Sequence, residues 1–188
     1  WATKEELHYG ETTTIIWDAF DGAVSYNIYN GEEKIGSTEE TTYELSNLPA
    51  NFNPGNAIAV TAVLEDESES DKSIAVRIKV AGSFPLTIKV TKLDEEPLAG
   101  ATVTIEGRDE FEEEVSYEEV TDENGEVNID NMPMLAEYYS YEINVKLEPF
   151  MIKYEYVQEY ELSYNTAYTK SIEMELQGVY VNTDKSSY

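Results

Sequence analysis

The sequence predicts an all-β protein built from two small β-sandwiches in tandem. Apolar and polar residues alternate with a period of two along the 188 residues, and helical periodicity is nearly absent. Hydrophobic residues make up 41% of the chain, which is enough to fill two cores. The stretch 81–85, Ala-Gly-Ser-Phe-Pro, is typical of a short linker. We therefore expect one domain over residues 1–81 and a second over residues 82–188.

The first half has the strand and turn pattern of a sandwich. Val24, Tyr26 and Ile28 alternate with their neighbours and lead into Asn30-Gly31, a hairpin signal because both positions tolerate positive φ. Further motifs are Trp17-Asp18, Gly22-Ala23, Thr42-Tyr43-Glu44-Leu45, Leu48-Pro49, Val60-Thr61-Ala62-Val63 and Glu67-Ser68. Over about residues 7–80 this half resembles a fibronectin type III domain. That family usually pins a corner with a tyrosine at the start of the sixth strand. Here that place falls near Asn56, so we expect the corner to be held differently.

The second half opens on another alternating strand, Leu86 to Thr91. Two motifs follow it, Pro-Leu-Ala-Gly-Ala at 97–101 and Thr-Asp-Glu-Asn-Gly at 121–125. In that order they resemble the prealbumin-like sandwiches, which include the B-type repeats of Gram-positive adhesins and the carboxypeptidase regulatory-like domains. The resemblance implies an Ig-like or prealbumin-like fold and implies little about activity.

The C-terminal part predicts an extended hairpin and a tail. Apolar and tyrosine residues occupy most even positions from Ile152 to Tyr164 and again from Tyr168 to Leu176. Residues 165–167 are suited to a turn between them, so we expect a long antiparallel hairpin whose first arm extends about 40 Å. Residues 178–188 would form a further extended tail.

The charge balance excludes some partners. The chain has 12 basic and 39 acidic residues, and its net charge is -27. Such a field repels phosphate backbones and anionic bilayers, so we expect neither nucleic-acid binding nor membrane insertion. No apolar run is long enough for a transmembrane helix. A start at Trp1 rather than Met is what we expect of a chain that is processed, excised from a longer one or read without its leader.

Catalytic equipment is not found in the sequence, so we predict a protein that is not an enzyme. There is no cysteine, no Gly-x-Ser-x-Gly nucleophile elbow and no phosphate-binding glycine loop. The single histidine, His8, is interpreted as an ordinary surface residue. An isopeptide cross-link of the adhesin type would use Lys89, but two of its three parts, a middle-strand acid near Asn144 or Val145 and a last-strand Asn or Asp, are missing.

Calcium is the candidate cofactor. Hard cations need several oxygen ligands that converge from loops. Asp122, Asn124, Asn128 and Asp130 have the most suitable spacing, although none of the acidic stretches fits the twelve-residue calcium loop. The alternative interpretation is that Asp122 to Gly125 forms only a hairpin turn.

Tyrosines are the candidate interaction residues. Ten of the chain's 15 tyrosines lie from Tyr138 onward. The tyrosine face is either the core of the second sandwich or an exposed platform for sugars or a neighbouring chain. The predicted interaction residues are Tyr154, Tyr156, Tyr160, Tyr164, Val179, Tyr180 and Val181.

These features favour an extracellular or cell-surface structural protein. We expect a subunit of a self-assembling fibre or pilus, held by β-strand addition between copies of the same chain. Residues 1–10 form a thin first strand, and residues 178–188 lie beyond the last expected strand, so each end is a candidate donor. The alternative is a spacer or carbohydrate-binding module of a larger secreted adhesin or enzyme, with glycans as partners.

Overall fold

The computed structural model describes residues 1–177 and confirms the all-β prediction. Within these residues there are fourteen strands and one 3-10 helix, and no helix has the length and apolarity needed to cross a membrane. The strands are β1 Glu6–Leu7, β2 Thr13–Ile16, β3 Ala23–Asn30, β4 Glu33–Thr38, β5 Thr42–Leu45, β6 Asn51–Leu64, β7 Val76–Val80, β8 Ser83–Lys92, β9 Thr102–Arg108, β10 Glu114–Val120, β11 Glu126–Pro133, β12 Ser140–Lys146, β13 Lys153–Gln158 and β14 Tyr168–Met174.

Strands β1 to β7 form the first sandwich. Its larger sheet has the order β1-β7-β6-β3-β4, and its smaller sheet pairs β2 with β5. The alternation seen in the sequence places one face of each strand in a common core. The core residues are Leu7, Ile15, Ile28, Leu45, Leu48, Ile58, Ile78 and Val80. The Asn30-Gly31 turn joins β3 to β4 as predicted, with Gly31 at a φ of 61°.

Asn56 holds the corner where the fibronectin-type family has a tyrosine. Its side chain is buried, and its Nδ2 donates to the carbonyl of Pro49 at 3.1 Å and to that of Ile78 at 3.3 Å. Its Oδ1 accepts from Asn30 Nδ2 at 2.9 Å. These bonds join the loop before β6 to β7 and to the β3 turn.

Strands β8 to β14 form the second sandwich around a separate core. One sheet has the order β10-β9-β12-β13 and the other β11-β8-β14. The largest fully buried side chains between them are Phe84, Leu86, Ile88, Ile105, Met132, Tyr141, Ile143 and Ile172. Strand β8 begins at Ser83, so the expected linker is shorter than 81–85 and only residues 81 and 82 separate β7 from β8.

The two motifs of the second half pack against each other. Thr121 Oγ1 donates to the carbonyl of Leu98 at 2.6 Å and accepts from the N–H of Ala101 at 2.9 Å. Gly125 has a φ of 74°, and a Cβ there would lie 2.4 Å from the carbonyl oxygen of Val90. The motifs therefore fasten the end of β8 to the loop before β11, and their role in the fold is structural.

The predicted long hairpin is wrong. β13 spans six residues and pairs with β12, whereas β14 pairs in parallel with β8 in the other sheet. A 3-10 helix, Glu159–Glu161, ends β13, and Glu161 accepts from the N–H of Gln158 at 2.8 Å. Alternation reports which residues share a face of a strand but not which strand lies beside it. Val157 and Ile172 enter the same core from opposite sheets.

Candidate functional site

Two of the four predicted calcium ligands, Asp122 and Asn128, accept hydrogen bonds within the fold. Asp122 Oδ1 accepts from the N–H groups of Asn124 at 2.9 Å and Glu126 at 2.8 Å, and these bonds lower the pKa of Asp122. Asn128 Oδ1 accepts from the hydroxyl of Thr87 at 2.7 Å. Asp130 is exposed, two residues beyond Asn128 on β11. Asp122 thus closes a turn, and a calcium site at these four residues stays a prediction.

Lys89 lies on the outer face of β8. Its Nζ is 3.0 Å from Glu126 Oε1, and its side chain is half-exposed. The residue beside it on β14 is Ser171. The lysine is therefore held in an ion pair at the surface, away from the core.

The tyrosine face is exposed. Tyr154 and Tyr156 point outward from β13 with 53% and 47% of their surface accessible, Tyr160 in the 3-10 helix is 80% exposed, and Tyr164 is 39% exposed. On the same sheet, a groove of about 570 Å³ is lined by Tyr139, Tyr156, Arg108, Glu106, Glu114 and Glu142, among others. These four tyrosines are therefore not core residues of the second sandwich, and their role as a platform for sugars or a neighbouring chain stays a prediction.

Two of these tyrosines have local roles. The carbonyl of Tyr156 accepts from Lys170 Nζ at 2.9 Å, so a side chain covers part of the β13 edge. Tyr164 donates to Glu110, and its ring packs on Gly82, where a Cβ would lie 2.2 Å from the ring. Tyr164 is thus a packing residue beside the connection between the sandwiches. The predicted interaction residues Val179, Tyr180 and Val181 lie outside the described residues.

The first sandwich has an open strand edge. β1 is only two residues long and pairs with Lys79 and Val80 at the end of β7. Within residues 1–177, the outer edge of Val76–Ile78 has no strand partner. The edge is open because β1 is too short to cover it, which agrees with the thin first strand that the sequence predicts. We call the outer edge of Val76–Ile78 the β7 slot.

An apolar groove flanks the β7 slot. Its lining includes Trp1, Ile15, Ile58, Ile74 and Val76, and its volume is about 220 Å³. Ile74, two residues before the slot, is 95% exposed, and Trp1 is 62% exposed. Large apolar side chains exposed together mark surfaces that contact other molecules.

A second groove of about 440 Å³ adjoins the first and shares Trp17 with it. Phe20 is half-exposed there, and the Trp17 ring packs edge-on against Tyr26 at 5.3 Å. The indole N–H of Trp17 is buried and has no hydrogen-bond partner among the described residues. A buried donor without a partner is costly, so this position is a local source of instability in the first sandwich. Trp17 belongs to the Trp17-Asp18 motif of the sequence, but the sequence alone does not show that Phe20 lies beside it in one groove.

The comparisons with known proteins give structural likenesses only. A scan against protein-family models finds no match, and a search of curated proteins finds none. Among solved structures, the full-length major pilin SpaD from Corynebacterium diphtheriae is 11% identical, with 93% of this chain and 65% of that chain covered and a TM-score of 0.44. The fibronectin(III)-like modules of Clostridium thermocellum CbhA are 11% identical, with 91% and 95% covered and a TM-score of 0.33.

The Bacillus anthracis TIE protein is 14% identical, with 81% of this chain covered and a TM-score of 0.39. The chain spans only 30% of that protein's length.

Proposed function

We propose that the chain is a non-catalytic subunit of an extracellular fibre or pilus, assembled by strand addition between copies. Residues 178–188 of one copy pair with the β7 slot of the next copy and fill the groove beside it. The observation that carries the proposal is that no strand within residues 1–177 pairs with the outer edge of Val76–Ile78, which lies next to exposed apolar residues. Pairing there satisfies backbone groups and covers apolar surface in one step.

The donor segment has the residues that such pairing needs. Val179, Tyr180 and Val181 are three consecutive residues with high β-propensity. Successive side chains of a strand point to opposite faces, so Val179 and Val181 would share one face and Tyr180 the other. That arrangement suits an edge with an apolar groove on one side.

The position where the described chain ends supports assembly between copies. β14 runs parallel to β8, with Tyr168 beside Leu86 and Met174 beside Lys92. β8 begins next to the first sandwich, and β14 runs in the same direction as β8. Residue 177, which follows β14, therefore lies at the end of the second sandwich that is farther from the first. The N–H of Gln177 bonds to the carbonyl of Pro149 there at 2.9 Å.

The length of the donor segment disfavours pairing within one chain. To reach the first sandwich of its own chain, the donor segment must first run back along the whole length of β8. The 10 residues of β8 span about 33 Å. Residues 178–188 can extend at most about 40 Å. Too little chain then remains to pair with Val76–Ile78, which lies beyond the connection. A donor and an acceptor on different surfaces make a heterologous contact, which propagates into an open filament when the rotation between copies does not close a ring.

Net charge sets the conditions for assembly. Copies that each carry a charge of -27 repel one another, and salt screens that repulsion. We therefore expect added salt to promote assembly.

The experiment uses donor and acceptor variants of the full chain. The donor variant is Val179→Lys/Val181→Lys, and its matched control is Ser186→Lys/Ser187→Lys, which changes the charge of the same segment equally. The acceptor variant is Ile74→Asp, with Leu93→Asp as control, because both residues are exposed. Sedimentation and electron microscopy at rising concentration should show filaments for wild type and both controls, and monomers for each variant alone.

Mixing gives the sharpest outcome. The donor variant retains its slot and the acceptor variant retains its tail, so an equimolar mixture should stop at a heterodimer. Equal assembly of all variants would place the contact elsewhere, and a wild-type chain that stays monomeric at millimolar concentration in high salt would refute the proposal.

A second candidate function is carbohydrate binding by the groove on the second sandwich. Tyr139 and Tyr156 offer ring faces beside Arg108, Glu106 and Glu142, which offer hydrogen bonds to hydroxyl groups. Calorimetric titration with oligosaccharides tests it. Binding that is lost in Tyr156→Ala and kept in Tyr154→Ala would support this function.

A further inference from the structure

The two sandwiches meet through a small set of side chains around the loop after β9. The ring of Phe111 packs against His8 and Phe52, with centroid distances of 5.2 Å to each. The N–H of Gly82 donates to Glu110 Oε2 at 2.7 Å. His8 belongs to the first sandwich and Phe111 and Glu110 to the second, so this loop forms the junction.

Three metal-ligating groups converge at the junction. His8 Nε2 lies 2.8 Å from Asp109 Oδ2 and 3.6 Å from Glu113 Oε2, and all three atoms lie within 4.8 Å of one another. In a tetrahedral zinc site with bonds of about 2.0–2.1 Å, ligand atoms are about 3.4 Å apart. The two distances from His8 bracket that value, so small side-chain shifts bring the three atoms to a common ion.

The loop holds its two carboxylates in place. The side chain of Asp109 is only 3% exposed. Its Oδ1 accepts from the N–H groups of Phe111 at 2.9 Å and Glu113 at 3.0 Å, which aims Oδ2 at His8. The backbone of Asp109 and Glu113 is also joined, since the N–H of Asp109 donates to the carbonyl of Glu113 at 3.1 Å. An ion would therefore meet a largely formed site.

A carboxylate also lies on the other side of the histidine ring. Glu11 Oε2 lies 3.7 Å from His8 Nδ1 and accepts from the backbone N–H of His8 at 2.8 Å. Lys4 Nζ lies 2.6 Å from the same oxygen. At 3.7 Å the Glu11 carboxylate is beyond hydrogen-bond distance of Nδ1, so its contribution to the site is negative charge beside the ring.

We propose that His8, Asp109 and Glu113 bind one zinc ion that links the two sandwiches. Calcium and magnesium prefer sites made of oxygen alone, whereas imidazole with carboxylates suits zinc and its neighbours in the first transition row. Glu113 is mostly exposed and His8 partly so, which leaves an entry path and a fourth position for water. The ion joins residues about 100 positions apart and fixes the angle between the sandwiches. The proposal does not depend on filament assembly.

The test is calorimetric titration of the full chain with Zn²⁺, at a concentration where sedimentation shows monomers. One ion per chain should bind. Glu113→Gln and His8→Ala each remove a direct ligand, so each should weaken binding by at least the roughly 10- to 100-fold that loss of an outer-shell partner causes. Glu112→Gln, which removes an exposed carboxylate one residue away, should leave the affinity unchanged. NMR should show the His8 ring signals shifting with the same stoichiometry, and excess Ca²⁺ should not displace the zinc.

Other results would overturn the assignment. If Glu112→Gln weakens binding as much as Glu113→Gln, the ion is attracted by the negative charge of the surface as a whole, and Glu113 is not a specific ligand. If His8→Ala binds zinc as wild type does, the histidine is not a ligand. If no saturable binding occurs, His8 and Asp109 form a hydrogen bond alone.

Discussion

Replacing Thr121 with valine tests whether the two motifs of the second sandwich act together as a structural fastening. Valine has nearly the shape of threonine, so packing is kept while both hydrogen bonds of Oγ1 are lost. The carbonyl of Leu98 and the N–H of Ala101 then remain buried without those partners. Each buried unsatisfied group costs about 1–3 kcal/mol, so we expect Thr121→Val, which leaves two such groups, to lower the free energy of unfolding by about 2–6 kcal/mol.

Thr121→Ser is the matched control. It keeps the hydroxyl and removes one methyl group, for which we expect a loss of about 1 kcal/mol. Both tryptophans, Trp1 and Trp17, lie in the first sandwich. Urea unfolding of the second sandwich is therefore followed by circular dichroism in the tyrosine region, with tryptophan fluorescence reporting on the first. A valine variant within about 0.5 kcal/mol of the serine variant would refute the reasoning.

Three further predictions concern single side chains. Tyr141→Phe removes the bond from a fully buried ring to the carbonyl of Pro133 at 2.9 Å, so we expect a loss of about 1–2 kcal/mol in urea unfolding. Gly82→Ala forces the ring of Tyr164 away, so we expect a lower melting temperature and faster hydrogen exchange at the backbone N–H of residue 82 than in wild type. Burial raises the pKa of Glu110 above its ordinary 4.5. The neutral form is therefore favoured in the fold, and wild type should lose stability relative to Glu110→Gln as pH rises from 4.5 through that raised pKa.

The parts of the fold that can be predicted from the sequence are those determined by short motifs and their local backbone conformations. Asn30-Gly31 turns because its backbone accepts positive φ, and the motifs 97–101 and 121–125 mark a fastening whose contacts depend on Gly125 and Thr121. A two-residue β1 is consistent with the thin first strand expected from residues 1–10. Each of these features depends either on residues that are close together in the sequence or on a motif that is typical of one type of sandwich.

Strand partners at the C-terminal end were not predictable in the same way. Glu155 on β13 reaches Lys170 on β14 at 3.4 Å, so charged residues fill the gap between two sheet edges while the tyrosines face outward. In the sequence of β13, tyrosines alternate with residues that are mostly charged. This alternation alone does not show which of the two sets of side chains faces solvent. Val157 occupies one of the positions that alternate with the tyrosines and is fully buried. That face of β13 is therefore the one that points into the core.

The junction could not be read from the sequence because its parts are far apart. His8 and Asp109 are separated by 101 positions, and neither lies in a metal-binding motif. Only the short connection at residues 81 and 82 brings the end of β1 to the loop after β9. With 39 acidic residues in the chain, no pair of carboxylates stands out before the fold is known.

Cross-linking of mixed isotopic copies tests the central claim most directly. Chains labelled with ¹⁵N and unlabelled chains are mixed, assembled in salt and treated with a short lysine-reactive cross-linker. Lys185 in the donor segment should link to Lys79 or Lys4 beside the β7 slot, and these links should join a labelled to an unlabelled chain. Links from Lys185 that occur only within one chain, or only to lysines of the second sandwich, would contradict assembly by strand addition at β7.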